Sequence, residues 1–481
     1  MLFEIPGEME PAKFLIDGEW CSSGVRRAVI NPYTGKTVGE VYQASKEDVA
    51  RAIGAAVGAF AAMKSLASYE RKDILARISR SLESKRAEFA ELITSETGKP
   101  IAYSKAEVDR AIFTFAVSAE EATRLDGEVL PLDMNAASKG RTALVRRFPL
   151  GPVGAITPFN FPLNLVAHKL GPAIAAGCPV VLKPSSSAPM TALLLGQVTG
   201  DAGLPKGALN IVTCLADEAA QLVTDERVKL ISFTGSPSVG WNIKERAGLK
   251  RVVLELGGNA GVIVCSDADL DLAVSRLIPG TFGNAGQSCI SVQRIYIQEE
   301  VFTEFVSRFT GATRQVPVGD PWDEKTVVGP MIDEAAARKI EEWIQEAKEH
   351  GARILCGGKR SGCMLEPTLL ADVPPAMKIY CQEAFAPLAI LEKFRDIDDA
   401  IRKVNASLFG LQAGIFTNSA HAIFRAFQEL EVGGVIVNDS SAYRMDHMPY
   451  GGVKQSGFGR EGVRYAIEEM TEMKLLALNL Q

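Results

Sequence analysis

The sequence lacks the residue patterns that hold metals. Its four histidines, His168, His350, His421 and His447, are scattered, with no His-x-x-x-His and no cluster with cysteine, so no metal site is expected. None of the eight cysteines, at positions 21, 178, 214, 265, 289, 356, 363 and 381, forms a Cys-x-x-Cys pair. In a chain of 481 residues they do not read as a disulfide framework, which points to a reducing compartment. No apolar run reaches the roughly 18 residues needed to span a bilayer. The opening residues, Met1-Leu2-Phe3-Glu4-Ile5-Pro6-Gly7-Glu8, lack the basic and then apolar regions of a secretory leader. These absences predict a cytoplasmic protein with no membrane partner. No long basic stripe interrupts the mixture of 52 Lys and Arg with 58 Asp and Glu, so no nucleic-acid partner is expected. The net charge of −6 leaves the substrate open, because one local basic group still holds an anion.

With 47% apolar and 23% charged residues, the chain has the balance of a folded globular protein. At 481 residues it is too long for one ordinary core and predicts at least two domains. The first part is helical in pattern. Ser45 before Lys46-Glu47-Asp48 reads as an N-cap with acids in the first turn, and an Ala-rich amphipathic stretch follows to about Met63. A second long helix is predicted from about Tyr69 to Thr97, stopped by Gly98-Lys99-Pro100. A third runs from about Ser104 to Leu125.

From about residue 151 short apolar strands alternate with amphipathic helices. Strands are predicted at 153–156, 179–182, 209–212, 230–233 and 251–254, with helices between them. This alternation implies a parallel sheet covered on both faces, with ligands at the carboxyl ends of its strands. A second α/β run from about Gly258 to the mid-400s reads as another domain. The tail from Met473 alternates as a strand, which suits either a partner's sheet edge or an edge within the same chain.

Several segments carry chemistry. In Gly283-Asn284-Ala285-Gly286-Gln287-Ser288-Cys289 the glycines let backbone approach a ligand, and Cys289 falls at a loop or helix terminus. Cys289 is either a small buried core residue or a nucleophile, since a thiolate adds readily to an aldehyde carbonyl. Glu255 ends an apolar strand before Leu256-Gly257-Gly258; it is either a structural salt bridge or a carboxylate of raised pKa that activates water. Asn160, in Pro158-Phe159-Asn160-Phe161-Pro162, is either a turn residue or an amide donor to an oxyanion. Lys183-Pro184-Ser185 follows a strand and suits ribose hydroxyls or phosphate. Phe233-Thr234-Gly235-Ser236-Pro237 is a strand end and helix start that favours a pyrophosphate, although the spacing is not G-x-G-x-x-G.

At these residues the sequence resembles the aldehyde dehydrogenase superfamily, over essentially its whole length. Phe159-Asn160-Phe161-Pro162, Lys183-Pro184-Ser185, Phe233-Thr234-Gly235-Ser236, Glu255-Leu256-Gly257-Gly258 and Gly286-Gln287-Ser288-Cys289 stand in the family's order. Glu383-Ala384-Phe385-Ala386-Pro387, Pro449-Tyr450-Gly451-Gly452 and Ser456-Gly457-Phe458-Gly459-Arg460-Glu461 look like its later motifs, with Ala386 in place of a glycine. The resemblance implies a Rossmann-type NAD(P) domain over 1–125 and 148–256, an α/β catalytic domain over 257–455, and a small β oligomerisation arm from 126–147 and 468–481. It implies that Cys289 attacks, that Asn160 and the Cys289 N–H hold the oxyanion, and that Glu255 activates the water that hydrolyses a thioester. Thr157, Pro158, Phe159, Lys183, Ser185, Ser186, Gly235, Ser236, Gly257, Glu383 and Phe385 would bind NAD or NADP. A homodimer or homotetramer is implied.

Two departures bear on specificity. Ser186 stands where many NAD-specific members have a glutamate, so the repulsion that excludes a 2′-phosphate is missing and NADP is expected to be accepted. Asn259-Ala260-Gly261 replaces a Lys-x-Pro found in many members. Asn438-Asp439-Ser440-Ser441-Ala442-Tyr443-Arg444-Met445-Asp446 resembles the lactaldehyde dehydrogenase-like members, as does Phe161-Pro162-Leu163-Asn164 with His168-Lys169. On that likeness the substrate is a small hydroxylated or anionic aldehyde, and Phe161, Ser288 and Arg444 lie on its side of the site. Arg444 is either the group that holds the substrate's polar end or an exposed loop arginine. Ser288 occupies a position where members using phosphorylated substrates have arginine, which disfavours a non-phosphorylating glyceraldehyde 3-phosphate dehydrogenase. A CoA-acylating semialdehyde dehydrogenase is disfavoured by Glu255, and a non-catalytic protein on this fold by the intact Cys289, Glu255 and Asn160.

Overall fold

Asp17 and Gly18 both adopt left-handed backbone, with φ of 52° and 72°, and close a two-residue hairpin between β1 (Phe14–Ile16) and β2 (Glu19–Cys21). A second hairpin joins β3 (Arg26–Ile30) to β4 (Thr37–Tyr42). The sequence predicts no strand here; β1 and β2, at three residues each, are too short to show periodicity. The Asp-Gly pair was the available signal. The computed structural model describes residues 10–480, so the Met1 to Glu8 segment read for a leader lies outside the described residues.

Helix α1 (Lys46–Ser65) starts at Ser45 with the expected reciprocal capping box to Asp48. The single helix expected over 69–97 is two helices, α2 (Ser68–Ser84) and α3 (Arg86–Thr97). They break at Lys85, whose ψ of 19° leaves the helical well. Across the break both α2 and α3 pack against α4 (Ile101–Glu121) and against the helix Met190–Asp201. β5 (Glu128–Pro131) and β6 (Arg141–Pro149) follow.

The alternating region forms as expected, within a residue or two: β7 (Val153–Ile156), α5 (Asn164–Ala176), β8 (Val180–Lys183), α6 (Met190–Asp201), β9 (Leu209–Ile211), α7 (Ala216–Thr224), β10 (Leu230–Thr234), α8 (Pro237–Arg246) and β11 (Arg251–Glu255). Its sheet runs β2-β1-β9-β8-β7-β10-β11 and ends on Gly457–Phe458. The strands from β7 to β11 pair in parallel, and their order reverses between β7 and β10. That reversal opens a crevice at the carboxyl ends. Separate buried apolar clusters, one holding Val180 and Leu182 and the other Val181, cover the two faces and explain why the strands are apolar throughout.

A second sheet holds β12 (Ala260–Val264), α9 (Leu270–Phe282) beside it, and β13 (Val292–Gln298) at its centre. Its order is Arg353–Cys356, Thr368–Ala371, Leu388–Phe394, β13, β12, Gln412–Phe416, Gly434–Val437. The terminal strand Thr471–Asn479 pairs antiparallel with β6 of its own chain over nine residues, so the same-chain alternative holds. It is the outer strand of the three-stranded sheet it forms with β6 and β5. Both faces are open: Met473, Leu475 and Leu476 are exposed. Among the described residues no single helix is long and apolar enough to cross a membrane.

Candidate active site

A cleft of about 350 Å³ gathers residues from widely separated chain segments, from Arg110 to Glu461. Cys289, Asn160 and Glu255 all line it, together with Phe159, Phe161, Gly235, Ser236, Gly257, Ser288, Glu383, Phe385 and Arg444. Thr157, Lys183, Ser185 and Ser186 stand outside this lining. Lys183 ends β8 and donates to Pro184 O at 3.1 Å and Ser186 Oγ at 3.3 Å, and burial lowers its pKa.

Cys289 sits in the turn between α9 and β13, half-buried, as its flanking residues led one to expect. The turn is left-handed at Asn284, Ala285 and Gly286, with φ of 52°, 54° and 66°. The glycines serve a different purpose from the one read in the sequence. A Cβ at Gly286 would collide with the Ala386 carbonyl, and one at Gly283 would meet the Tyr103 ring, so both make room for protein and not for a ligand. The close approach that does matter is at Gly258, where a Cβ would strike the Cys289 carbonyl oxygen. The Gly-Gly turn thus lets the loop carrying Cys289 lie against the end of β11.

Burial pushes the Cys289 thiol up to about 12, with Glu383 and Glu255 acting the same way and the Tyr450 hydrogen bond and Arg444 opposing. Sγ lies 2.9 Å from the Tyr450 hydroxyl. Among the described residues no acceptor takes a hydrogen bond from the Cys289 amide. Asn160 is buried, and its side-chain amide donates to Gln287 O at 3.0 Å, which fixes it against the Cys289 loop and leaves its second N–H.

Glu255 is the last residue of β11 and 2% exposed, and among the described residues neither of its oxygens has a hydrogen-bond partner. The salt-bridge alternative is therefore excluded. Burial and then the charge of Glu461 raise its pKa well above 4.5. Glu461 itself accepts from Lys169 at 2.9 Å and from Arg444 at 3.3 Å. Against burial, Lys169 and Arg444 hold it down to about 2.

Arg444 is not an exposed loop arginine. Its side chain is 6% exposed, stacks 3.6 Å above the Tyr450 ring centroid and points into the cleft beside Glu461. A second arginine, Arg110 on α4, also lines the cleft and makes a forked pair with Asp446 at 2.7 and 3.1 Å. Asp446 accepts further bonds from Asn164 at 3.0 Å and His168 at 2.8 Å; against burial, these partners hold its carboxyl far below the usual range. Sequence reasoning assigned no role to Arg110, Lys169, Tyr450 or Glu461. Nothing local to Arg110 signals a pair spanning 336 residues.

On the other side of Cys289, Glu383 accepts from the Gly258 amide at 2.8 Å, and burial raises its pKa to about 7. A Cβ at Gly257 would collide with that carboxylate. Gln293, buried on β13, clamps the segment: its amide nitrogen donates to Gln382 O at 2.7 Å and Ile379 O at 3.1 Å, and its oxygen accepts from the Ala384 amide at 3.0 Å. Phe385, at φ 52°, meets the Phe159 ring edge-on at 6.1 Å. Two buried hydroxyls without partners, Thr157 Oγ1 and Thr234 Oγ1, flank the crevice where strand order reverses. Ser236 is the N-cap of α8, with Pro237 at its first position.

The sequence model of the aldehyde dehydrogenase family matches residues 20–476. A 3-sulfolactaldehyde dehydrogenase from Priestia aryabhattai is 47% identical over 466 residues, 97% of each chain. Two solved structures superpose closely. Aldehyde dehydrogenase 21 from Physcomitrella patens, in complex with the reaction product succinate, has a TM-score of 0.96 at 45% identity and covers 98% of each chain. A glyceraldehyde-3-phosphate dehydrogenase from Methanocaldococcus jannaschii, complexed with NADP, has a TM-score of 0.91 at 39% identity, covering 95% of this chain and 100% of that one.

Proposed function

The chain belongs to the aldehyde dehydrogenase family and shares its fold, and we propose that it oxidises a small hydroxylated or anionic aldehyde to the carboxylic acid through a thioester on Cys289. The enzyme is NAD(P)-dependent, like its structural neighbours. The orphaned Thr157 and Thr234 hydroxyls at the strand-order reversal fit a polar ligand, as does the amide-rich start of α8. Thr157, Pro158, Phe159, Lys183, Ser185, Ser186, Gly235, Ser236, Gly257, Glu383 and Phe385 would hold the coenzyme, with Glu383 at its nicotinamide ribose. When bound, the coenzyme would supply the hydride acceptor needed to oxidise the Cys289 adduct to a thioester.

The protein's own groups do the rest. The Cys289 thiol gives its proton to solvent water and the thiolate adds to the aldehyde carbon, so that the π electrons move to oxygen. Asn160 and the Cys289 amide donate to that oxyanion. In the second half Glu255 takes a proton from water, hydroxide adds to the thioester, and the carbon–sulfur bond breaks to return the thiolate and release the acid. Glu255 suits this role because no partner competes for its oxygens.

Arg444 and Arg110 support the anionic substrate class. They put two cations in the cleft lining, and the relative named for 3-sulfolactaldehyde and the neighbour holding succinate both handle small anionic molecules. Phe161 and Ser288 complete that side. The domain division follows the same reading: 1–125 with 148–256 for the coenzyme, 257–455 for catalysis, and 126–147 with 468–481 as an arm. The exposed Met473, Leu475 and Leu476 on that arm favour a homodimer or homotetramer. Eight free cysteines suit the cytoplasm.

The observation that carries the proposal is the convergence of Cys289, Asn160 and Glu255 on one cleft. A panel of small aldehydes assayed with both coenzymes tests it. Anionic or hydroxylated aldehydes are expected to exceed propanal in kcat/KM by about tenfold or more, the effect of one good charge pairing. Equal turnover of alkyl aldehydes would remove the substrate assignment, and full activity in Cys289→Ser would remove the mechanism.

A further inference from the structure

We propose that Tyr450 is a catalytic residue, its hydroxyl donating a hydrogen bond to the ionised Cys289 sulfur and so stabilising the attacking thiolate. The inference deepens the proposed function and rests on its reading of Cys289 as the nucleophile.

The contact is direct. The Tyr450 oxygen lies 2.9 Å from Sγ, short for a bond to an atom as large as sulfur, and among the described residues this is the hydroxyl's one hydrogen bond. The ring is fixed on both sides. Its backbone pairs with Glu461 through two hydrogen bonds of 3.0 and 2.6 Å, and the Arg444 guanidinium lies on its face at 3.6 Å. Packing alone would be served by phenylalanine, so the hydroxyl is the informative group.

Chemistry gives that hydroxyl a task. The charged groups acting on Cys289 are Glu255 at the end of β11, Glu383 and Arg444, which is stacked on the Tyr450 ring. Two of these are carboxylates that oppose a thiolate, and the single cation, which favours one, is already paired with Glu461. A thiolate formed there needs a donor at close range. While the thiol is protonated, either S–H or O–H donates. Once sulfur ionises, only the phenol can. Burial and the nearby thiol keep the Tyr450 hydroxyl protonated far above its ordinary range, so it remains a donor at any working pH. Arg444 stacked on the ring draws electron density from it, which strengthens O–H as a donor.

The test compares wild type with Tyr450→Phe and Tyr450→His, the second keeping an N–H donor. Iodoacetamide alkylation of Cys289 is followed by peptide mass from pH 6 to 10, beside the pre-steady-state burst of NAD(P)H formation and the unfolding temperature. Tyr450→Phe is expected to lower the alkylation rate about tenfold at each pH in this range, the fall in thiolate fraction that a rise of about one unit in the thiol pKa gives. The burst should slow by a similar factor while the unfolding temperature stays within about 2 °C, as for an isosteric change. Tyr450→His should recover part of the loss. Superimposable profiles for wild type and Tyr450→Phe would overturn the proposal. If alkylated wild type still turned over aldehyde, the reading of Cys289 would fail instead, whatever Tyr450 does.

Discussion

Glu255 and Glu461 share one buried electrostatic field but not its hydrogen bonds. Glu461 is held by Lys169 and Arg444, whereas both oxygens of Glu255 are bare. The field assigns them opposite states: Glu461 stays ionised and Glu255 is pushed toward its neutral form.

Glu255 should therefore limit activity at low pH and cost stability at high pH. As a base it works only when ionised, so thioester hydrolysis should rise with pH through its raised pKa. Because the folded pKa lies above the unfolded value near 4.5, its contribution to stability is complete below that pH and is lost as pH climbs through the folded pKa. Glu255→Gln should match wild type in unfolding temperature near pH 4.5 and exceed it at pH 9 by roughly 1–3 °C. Turnover should fall by about 10²–10⁴-fold, the usual worth of a general base. Equal unfolding temperatures at pH 9 would contradict the raised pKa.

Ser186 and Lys183 bear on coenzyme choice. Contact repulsion between unit charges in water is about 1 kcal/mol, and a 2′-phosphate carries nearly two. Ser186→Glu should accordingly raise KM for NADP by about tenfold or more while NAD changes less than about threefold. Steady-state titrations with both coenzymes measure it, and an unchanged NADP KM would detach position 186 from the ribose.

Arg444 and Arg110 should matter in proportion to substrate charge. Arg444→Met should lower kcat/KM for an anionic aldehyde by about 10²-fold relative to a neutral one of equal length, the cost of removing one partner from a buried pair. Arg110→Met should lower the same ratio by about tenfold, since this arginine is more exposed and already engaged by Asp446. The ratio matters because Arg444 also braces Glu461 and Tyr450, which serve every substrate.

Local chemistry in this chain was legible in the sequence. Apolar strands of four or five residues ending at Lys183, Thr234 and Glu255 announced a parallel sheet and its ligand-bearing edge. The capping pattern at Ser45 fixed the start of α1. What stayed hidden depends on distant partners. Lys85 breaks a continuous helical pattern so that α2 and α3 each pack on both α4 and α6, a demand of packing and not of propensity. Gly286 reads as a ligand-facing glycine until the Ala386 carbonyl is found against it. Tyr450 gains its meaning only from a sulfur 161 residues away.

Gln293 illustrates the same point and should behave as a positioning residue. Its amide bonds to the residues on both sides of Glu383. Gln293→Met removes three hydrogen bonds, each worth about 0.5–1.5 kcal/mol, and should raise coenzyme KM by about tenfold or more. If the clamp acts through Glu383, the double variant with Glu383→Gln should be no worse than Glu383→Gln alone. Multiplicative losses would separate the two residues.

Acyl transfer to Cys289 is the central step, and intact-mass spectrometry of Glu255→Gln during a single turnover measures it directly. With aldehyde and coenzyme present, the protein should gain the mass of one acyl group, peptide mapping should put it on Cys289, and NAD(P)H should form stoichiometrically. Stoichiometric NAD(P)H with no mass increase at that cysteine would contradict it.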